Sequence, residues 1–152
     1  MKFIITESQY KTIMSERFKV SKDERTIISD TENFLQVVPH TESASCKYGA
    51  GTKWCVTSKE NNKFSWYKEK GWDVSMVMIK NPDIQNIFGT TKFAFNLYNK
   101  FIEVHNDQNK YFDLKRVSEE AGVLDEVKSI VGDYIRFMES NRNAEINKNQ
   151  VF

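Results

Sequence analysis

The chain is poor in the residues that usually staple, break or catalyse: two cysteines, two prolines, six glycines and two histidines among 152 positions. Cys46 and Cys55, nine residues apart, exclude a disulfide scaffold, and with no secretory signal they read as free thiols of a reducing compartment. The scarcity of proline and glycine predicts long regular elements with few breaks. Neither sign of charge dominates: 22 Lys+Arg stand against 21 Asp+Glu, which excludes a surface given over wholly to nucleic acid. The longest apolar runs, such as Val74 to Ile79, fall far short of the roughly 20 residues of a membrane helix. Met1 to Ile5 is followed at once by polar residues, too short for a signal-peptide core, so the expected location is the cytoplasm, without membrane association. Phosphate loops, G-x-G-x-x-G, G-x-S-x-G and H-E-x-x-H are absent, and no cofactor is expected.

Aromatic residues are abundant, at 13% of the chain. The T-x-x-Q spacing of Thr6 and Gln9, with Tyr10, Ile13, Met14 and Phe18 behind it, predicts a helix over 7–18. Residues 21–33 fit no period. Phe34 to Val38 reads as a strand stopped by Pro39, and Thr41 as the cap of a short helix ending at Gly49. A second helix ends at Gly71. Val74 to Lys80 reads as a strand, Asn81-Pro82-Asp83 as a turn, and Phe93 to Tyr98 and Phe101 to His105 as a hairpin about Asn99-Lys100. The remainder is helical up to a polar stretch, 141–152, expected to fray. The expectation is a single α+β domain over 1–140: a small, mainly antiparallel sheet with helices packed on one face and helices at both ends.

Most of the chemistry lies between Pro39 and Gly71. Gly49 and Gly51 permit a sharp turn, and Thr52 would cap a following helix with Cys55 in its first turn, beside Lys53. A thiol in that place gains thiolate character from the helix end and the cation, as a nucleophile requires. The competing reading makes Cys55 a small buried hydrophobe beside Trp54. A nucleophilic thiol needs a base and an orienting group, and His105, followed by Asn106 and Asp107, supplies candidates in the order nucleophile, base, orienter. The hairpin register opposes Ala94 to His105, away from the Phe93, Phe95 and Leu97 side. A Cys55 helix packed on that core side would keep thiol and imidazole in different layers. His40, after Pro39, reads as a turn residue, and His40, Cys46, Cys55 and His105 lack the spacing of a zinc site.

Residues 47–72 interleave six lysines and two glutamates with Tyr48, Trp54, Phe64, Trp66, Tyr67 and Trp72. Lysines and rings together suit single-stranded nucleic acid, although a solvated helix face over core aromatics explains the same pattern and is preferred.

The run from Pro39-His40-Thr41 through Tyr48-Gly49-Ala50-Gly51-Thr52-Lys53-Trp54-Cys55 resembles a group of poorly characterised proteins of tailed bacteriophages, with a shared P-x-T and Y-G-x-G-T-K-W-C pattern. Phe64, Tyr67, Gly71 and the later strands continue the resemblance over about residues 34–115. Cys55-Val56, Tyr67 and Gly71 also match, more faintly, the outline of PcfJ-like proteins of conjugative plasmids, which carry His where this chain has Trp54. The resemblance implies a mobile-element accessory protein of the infected bacterial cytoplasm, with Gly51, Thr52, Lys53, Trp54 and Tyr67 as binding residues around Cys55. Two functions follow from the residues and the resemblance together: a cysteine-dependent hydrolase or transferase using Cys55, His105 and Asp107, or a non-enzymatic module that binds a host or phage protein or, less favoured, nucleic acid.

Overall fold

The computed structural model describes Thr6 and residues 24–147. The helix expected over 7–18 therefore lies outside the described residues. In chain order come β1 (Arg25–Asp30), β2 (Phe34–Pro39), α1 (Glu42–Tyr48), α2 (Phe64–Glu69), β3 (Ser75–Ile79), α3 (Pro82–Phe88), β4 (Lys92–Tyr98), β5 (Phe101–Asn106), α4 (Leu114–Glu120) and α5 (Leu124–Arg142). The strands form one antiparallel sheet in the order β1-β2-β3-β4-β5. The α+β class and the antiparallel sheet are as expected, with β1 added from the stretch that showed no period. That strand sits at the sheet edge with a register shift between Ile27 and Ser29, which scrambles the alternation a sequence pattern would show.

Local signals account for most boundaries. Thr41 accepts from the Ala44 amide at 3.1 Å and starts α1. Asn99 and Lys100 have φ of 49° and 70°, the paired positive values of a type I′ hairpin, and the register Ala94↔His105, Asn96↔Glu103 and Tyr98↔Phe101 follows from it. Asn81-Pro82-Asp83 is a helix start and not merely a turn. The Asn81 side chain accepts from the Asp83 amide at 2.9 Å, Pro82 fills the first helical turn, and Gly89 closes α3 at φ 69°.

The central strands are apolar on both faces, and this divides the core in two. Phe34, Val77, Ile79, Phe93, Phe95 and Leu97 meet α3, α4 and α5, whose Val127, Ile130, Val131, Tyr134 and Met138 form one buried stripe. Leu35, Val37, Met76, Met78 and Ala94 are covered instead by α1, α2 and the loop between them, through Tyr48, Trp54, Val56 and Phe64. The layer of helices expected on one face is thus joined by a second, thinner one on the other. A strand buried on both sides needs cover on both.

The two layers are tied together at Asp73, just before β3. Its carboxylate, 3% exposed, accepts from Lys68 of α2 at 2.9 Å and from Arg142 of α5 at 2.6 Å, while its carbonyl accepts from the Tyr134 hydroxyl at 2.7 Å. Burial acts to raise the Asp73 carboxyl, but the hydrogen bonds and charges of Arg142 and Lys68 outweigh it and hold it below its ordinary value. Past α5, within the stretch expected to fray, Ala144 and Ile146 pack on the core and the Asn147 amide donates to Lys100 O at 2.8 Å.

Candidate functional site

The G-A-G-T-K-W-C stretch is a loop locked by its own side chains. A Cβ on Gly49 would meet Thr57 Cγ2 at 2.0 Å, so only glycine fits there, and Gly51 turns the chain at φ 83°. The Thr52 hydroxyl donates to Gly49 O at 2.7 Å and lies 3.0 Å from the Thr57 hydroxyl, which donates to Trp54 O at 2.9 Å. No helix starts at Thr52: residues 52–54 are irregular, Cys55 opens a turn, and α2 begins only at Phe64. The helix end invoked for the Cys55 thiol is therefore not there.

Trp54 anchors this loop. It is 4% exposed, and its indole donates to Asn106 O at 2.7 Å, while the Lys53 amide donates to Asp107 O at 2.8 Å. Of the residues expected to bind a partner, Gly51, Thr52, Lys53 and Trp54 are thus engaged in shaping the loop and docking it on the end of β5. Trp54 and Tyr67 also line the cleft beside Cys55, and the Lys53 side chain is exposed.

Docking there brings Cys55 to the sheet face that carries Ala94, Asn96 and His105. Cys55, Tyr67, Asn96, His105 and Asn109 line one cleft of about 30 Å³ with Trp54, Val56, Val74 and Ala94, room for a water or two. The layer conflict anticipated from the register does not arise, because the Cys55 loop covers the face opposite the Phe93, Phe95 and Leu97 side.

The cleft has an internal order. The Cys55 thiol donates to Tyr67 Oη at 3.5 Å. Burial, then the hydrogen bond and charge of Cys55 and the charge of Glu103, push the Tyr67 phenol well above its ordinary value, so it keeps its proton at neutral pH. His105 Nδ1 lies 3.0 Å from Asn109 Oδ1. An amide oxygen only accepts, so in the neutral imidazole this contact puts the proton on Nδ1 and the lone pair on Nε2. Nε2 is buried and has no hydrogen-bond partner among the described residues, with the nearest Glu103 carboxylate oxygen at 3.8 Å. The Tyr111 ring meets the imidazole edge-on at 4.4 Å, and its hydroxyl donates to Glu103 at 3.1 Å.

The side chain that meets the His105 ring nitrogen is that of Asn109, and among the described residues Asp107 makes no such contact. Asn106 uses its side chain to accept from the Gln108 and Lys110 amides, both at 3.0 Å, and the Asp107 amide donates to the Thr90 hydroxyl at 3.1 Å. Asn109, at φ 60°, then reverses the chain beneath the ring and brings Tyr111 into a bridge with His105. The sequence offered Asn106 and Asp107 beside His105, and the turn geometry instead brings Asn109 to the ring.

The other candidates lie outside the cleft. His40 Nε2 is 2.6 Å from the Thr26 hydroxyl, and burial, with the Lys68 charge, lowers the imidazole from its ordinary value. Cys46 accepts from Asn62 Nδ2 at 3.4 Å, both cysteines are free thiols, and among the described residues no three His, Cys, Asp or Glu side chains gather. In the lysine and aromatic segment, Tyr48, Trp54 and Phe64 are core rings and Lys68 is held by Asp73. No described helix is long and apolar enough to cross a membrane. No protein-family model, curated protein or solved structure matches the chain. The chemistry of the cleft accordingly rests on its own geometry.

Proposed function

We propose that the protein is a cysteine-dependent acyl-transfer enzyme, a hydrolase or transferase, with Cys55 as nucleophile, His105 as base and Asn109 holding the base. The observation that carries this is one cleft lined by both Cys55 and His105, with Nδ1 on Asn109 and Nε2 without a partner among the described residues. A nucleophile, a base and a group orienting the base are the parts such chemistry needs. His105 Nε2 takes the Cys55 proton as the sulfur bonds to the acyl carbon. The imidazolium returns that proton to the leaving group as its bond to carbon breaks, and a thioester remains. Water or a second nucleophile gives its proton to Nε2 and attacks the thioester, and the proton passes to the departing sulfur. The protonated Tyr67 hydroxyl is placed to donate to the thiolate. The Y-G-x-G-T-K-W-C resemblance supports an accessory role in the cytoplasm of an infected bacterium.

Iodoacetamide alkylation of Cys55, followed by mass spectrometry in a Cys46→Ser background, tests the pairing. His105→Gln and Asn109→Ala are each expected to slow Cys55 alkylation at pH 7 by about tenfold or more, with the fold checked by circular dichroism. A rate indifferent to both substitutions, or a Cys55 that never labels in the folded protein, would overturn the proposal.

A further inference from the structure

Beside the cleft, and sharing Tyr67 and Asn96 with it, runs an open groove of about 520 Å³ lined by Trp66, Tyr67, Lys70, Trp72, Asn96, Tyr98, Asn99 and Glu103. We infer that this groove is the substrate site, and that its occupant is a peptide with a large apolar or aromatic side chain beside the bond Cys55 attacks. The inference rests on the acyl-transfer reading above.

The rings make a continuous floor. Trp66 meets Trp72 edge-on at 5.2 Å, Trp72 meets Tyr98 at 5.3 Å, and Tyr67 lies 5.6 Å from both tryptophans. Trp66 and Tyr98 are 47% and 43% exposed, so ring surface of this floor is open to a ligand. Rings braced edge to face lose little freedom on binding, which suits an anchor for an apolar side chain. Two amides, Asn96 and Asn99, line the groove, and an amide N–H is the group that meets the carbonyls of an extended peptide backbone.

Charge selects the class of ligand. The lining holds one lysine, Lys70, set over Trp66 at 5.9 Å, and one carboxylate, Glu103, at the His105 end. Such a lining has no net positive charge with which to follow phosphates, so single-stranded nucleic acid is disfavoured despite the rings. Glu103 would also repel an acidic residue next to the reacting bond. In the peptide the bond broken is the amide C–N, and the amine leaves with the proton that His105 took from Cys55.

Chloromethyl ketones of N-acetyl-Phe, N-acetyl-Gly and N-acetyl-Asp, which alkylate a thiol with loss of chloride, read the groove directly in the Cys46→Ser background. The Phe probe is expected to label Cys55 at least about tenfold faster than the Gly probe, with a rate that saturates, and the Asp probe slowest. Trp66→Ala and Tyr98→Ala should reduce the Phe to Gly ratio several-fold, whereas Ile87→Ala, exposed on α3, should keep it. Equal Phe and Gly rates, with iodoacetamide labelling still dependent on His105, would overturn the groove and spare the Cys55 and His105 pair. Iodoacetamide labelling indifferent to His105 would remove both. Salt-sensitive protection of Cys55 by oligo-dT, with no Phe preference, would replace the peptide by nucleic acid.

Discussion

Asp73→Asn removes one charge and almost no volume from the junction that holds α2, and with it Tyr67 and Trp66, against the sheet. The carboxylate is 3% exposed and accepts charged hydrogen bonds from Lys68 and Arg142 at 2.9 Å and 2.6 Å. Breaking a buried pair by removing one partner costs about 3–5 kcal/mol. Here both cations are 32% exposed on their side chains and recover hydration, and Asn retains one acceptor, so the expected loss is about 2–3 kcal/mol. In a chain of 152 residues that lowers Tm by about 6–9 °C at pH 7. The pH dependence has a definite sign. The folded Asp73 carboxyl lies below its ordinary value, so its contribution is complete above the unfolded carboxyl range near pH 4 and disappears as pH falls through the folded value. Thermal melts followed by circular dichroism at pH 7 and pH 3 should show a wide gap between the two proteins that narrows in acid. A gap under about 2 °C at pH 7, or one that persists unchanged at pH 3, would refute the reasoning.

Gly49→Ala drives a Cβ into Thr57 Cγ2, 2.0 Å away, and is expected to cost about 1–3 kcal/mol in urea unfolding. Adding Thr57→Ser removes that methyl and should recover part of the loss, while no recovery would place the strain elsewhere, for example against Ser45 O at 2.9 Å. Lys100 occupies φ 70° in the type I′ turn with its ammonium on the exposed Glu145, so Lys100→Gly should stabilise by about 0.5–1 kcal/mol, read from the urea midpoint at constant m-value.

The hairpin and its register were legible because a two-residue turn leaves one pairing, and α1 because Thr41 and Gly49 bracket it. The α3 helix was missed although Asn81, Pro82, Asp83 and Gly89 all carry its signature, because the same residues also spell a turn. β1 was hidden by its bulge. At the site, Cys55 and His105 were visible as residue types, and Tyr67 as a neighbour. Asn109, Glu103 and Tyr111 were not, because the turn after His105 gives no sequence signal for which of its polar side chains faces the ring.

By itself the sequence determined an aromatic-rich α+β chain of balanced charge, the pairing of Ala94 with His105, and a glycine-bracketed loop carrying a thiol. Local preferences were sufficient for that, since turns, caps and alternation act over a few residues. Only the tertiary structure decided that the loop covers the Ala94 and His105 face, through Trp54 seated on the end of β5. Strands apolar on both faces offer a covering segment two sides of similar hydrophobicity. The choice between them depended on long-range hydrogen bonds and close packing that no local pattern encodes.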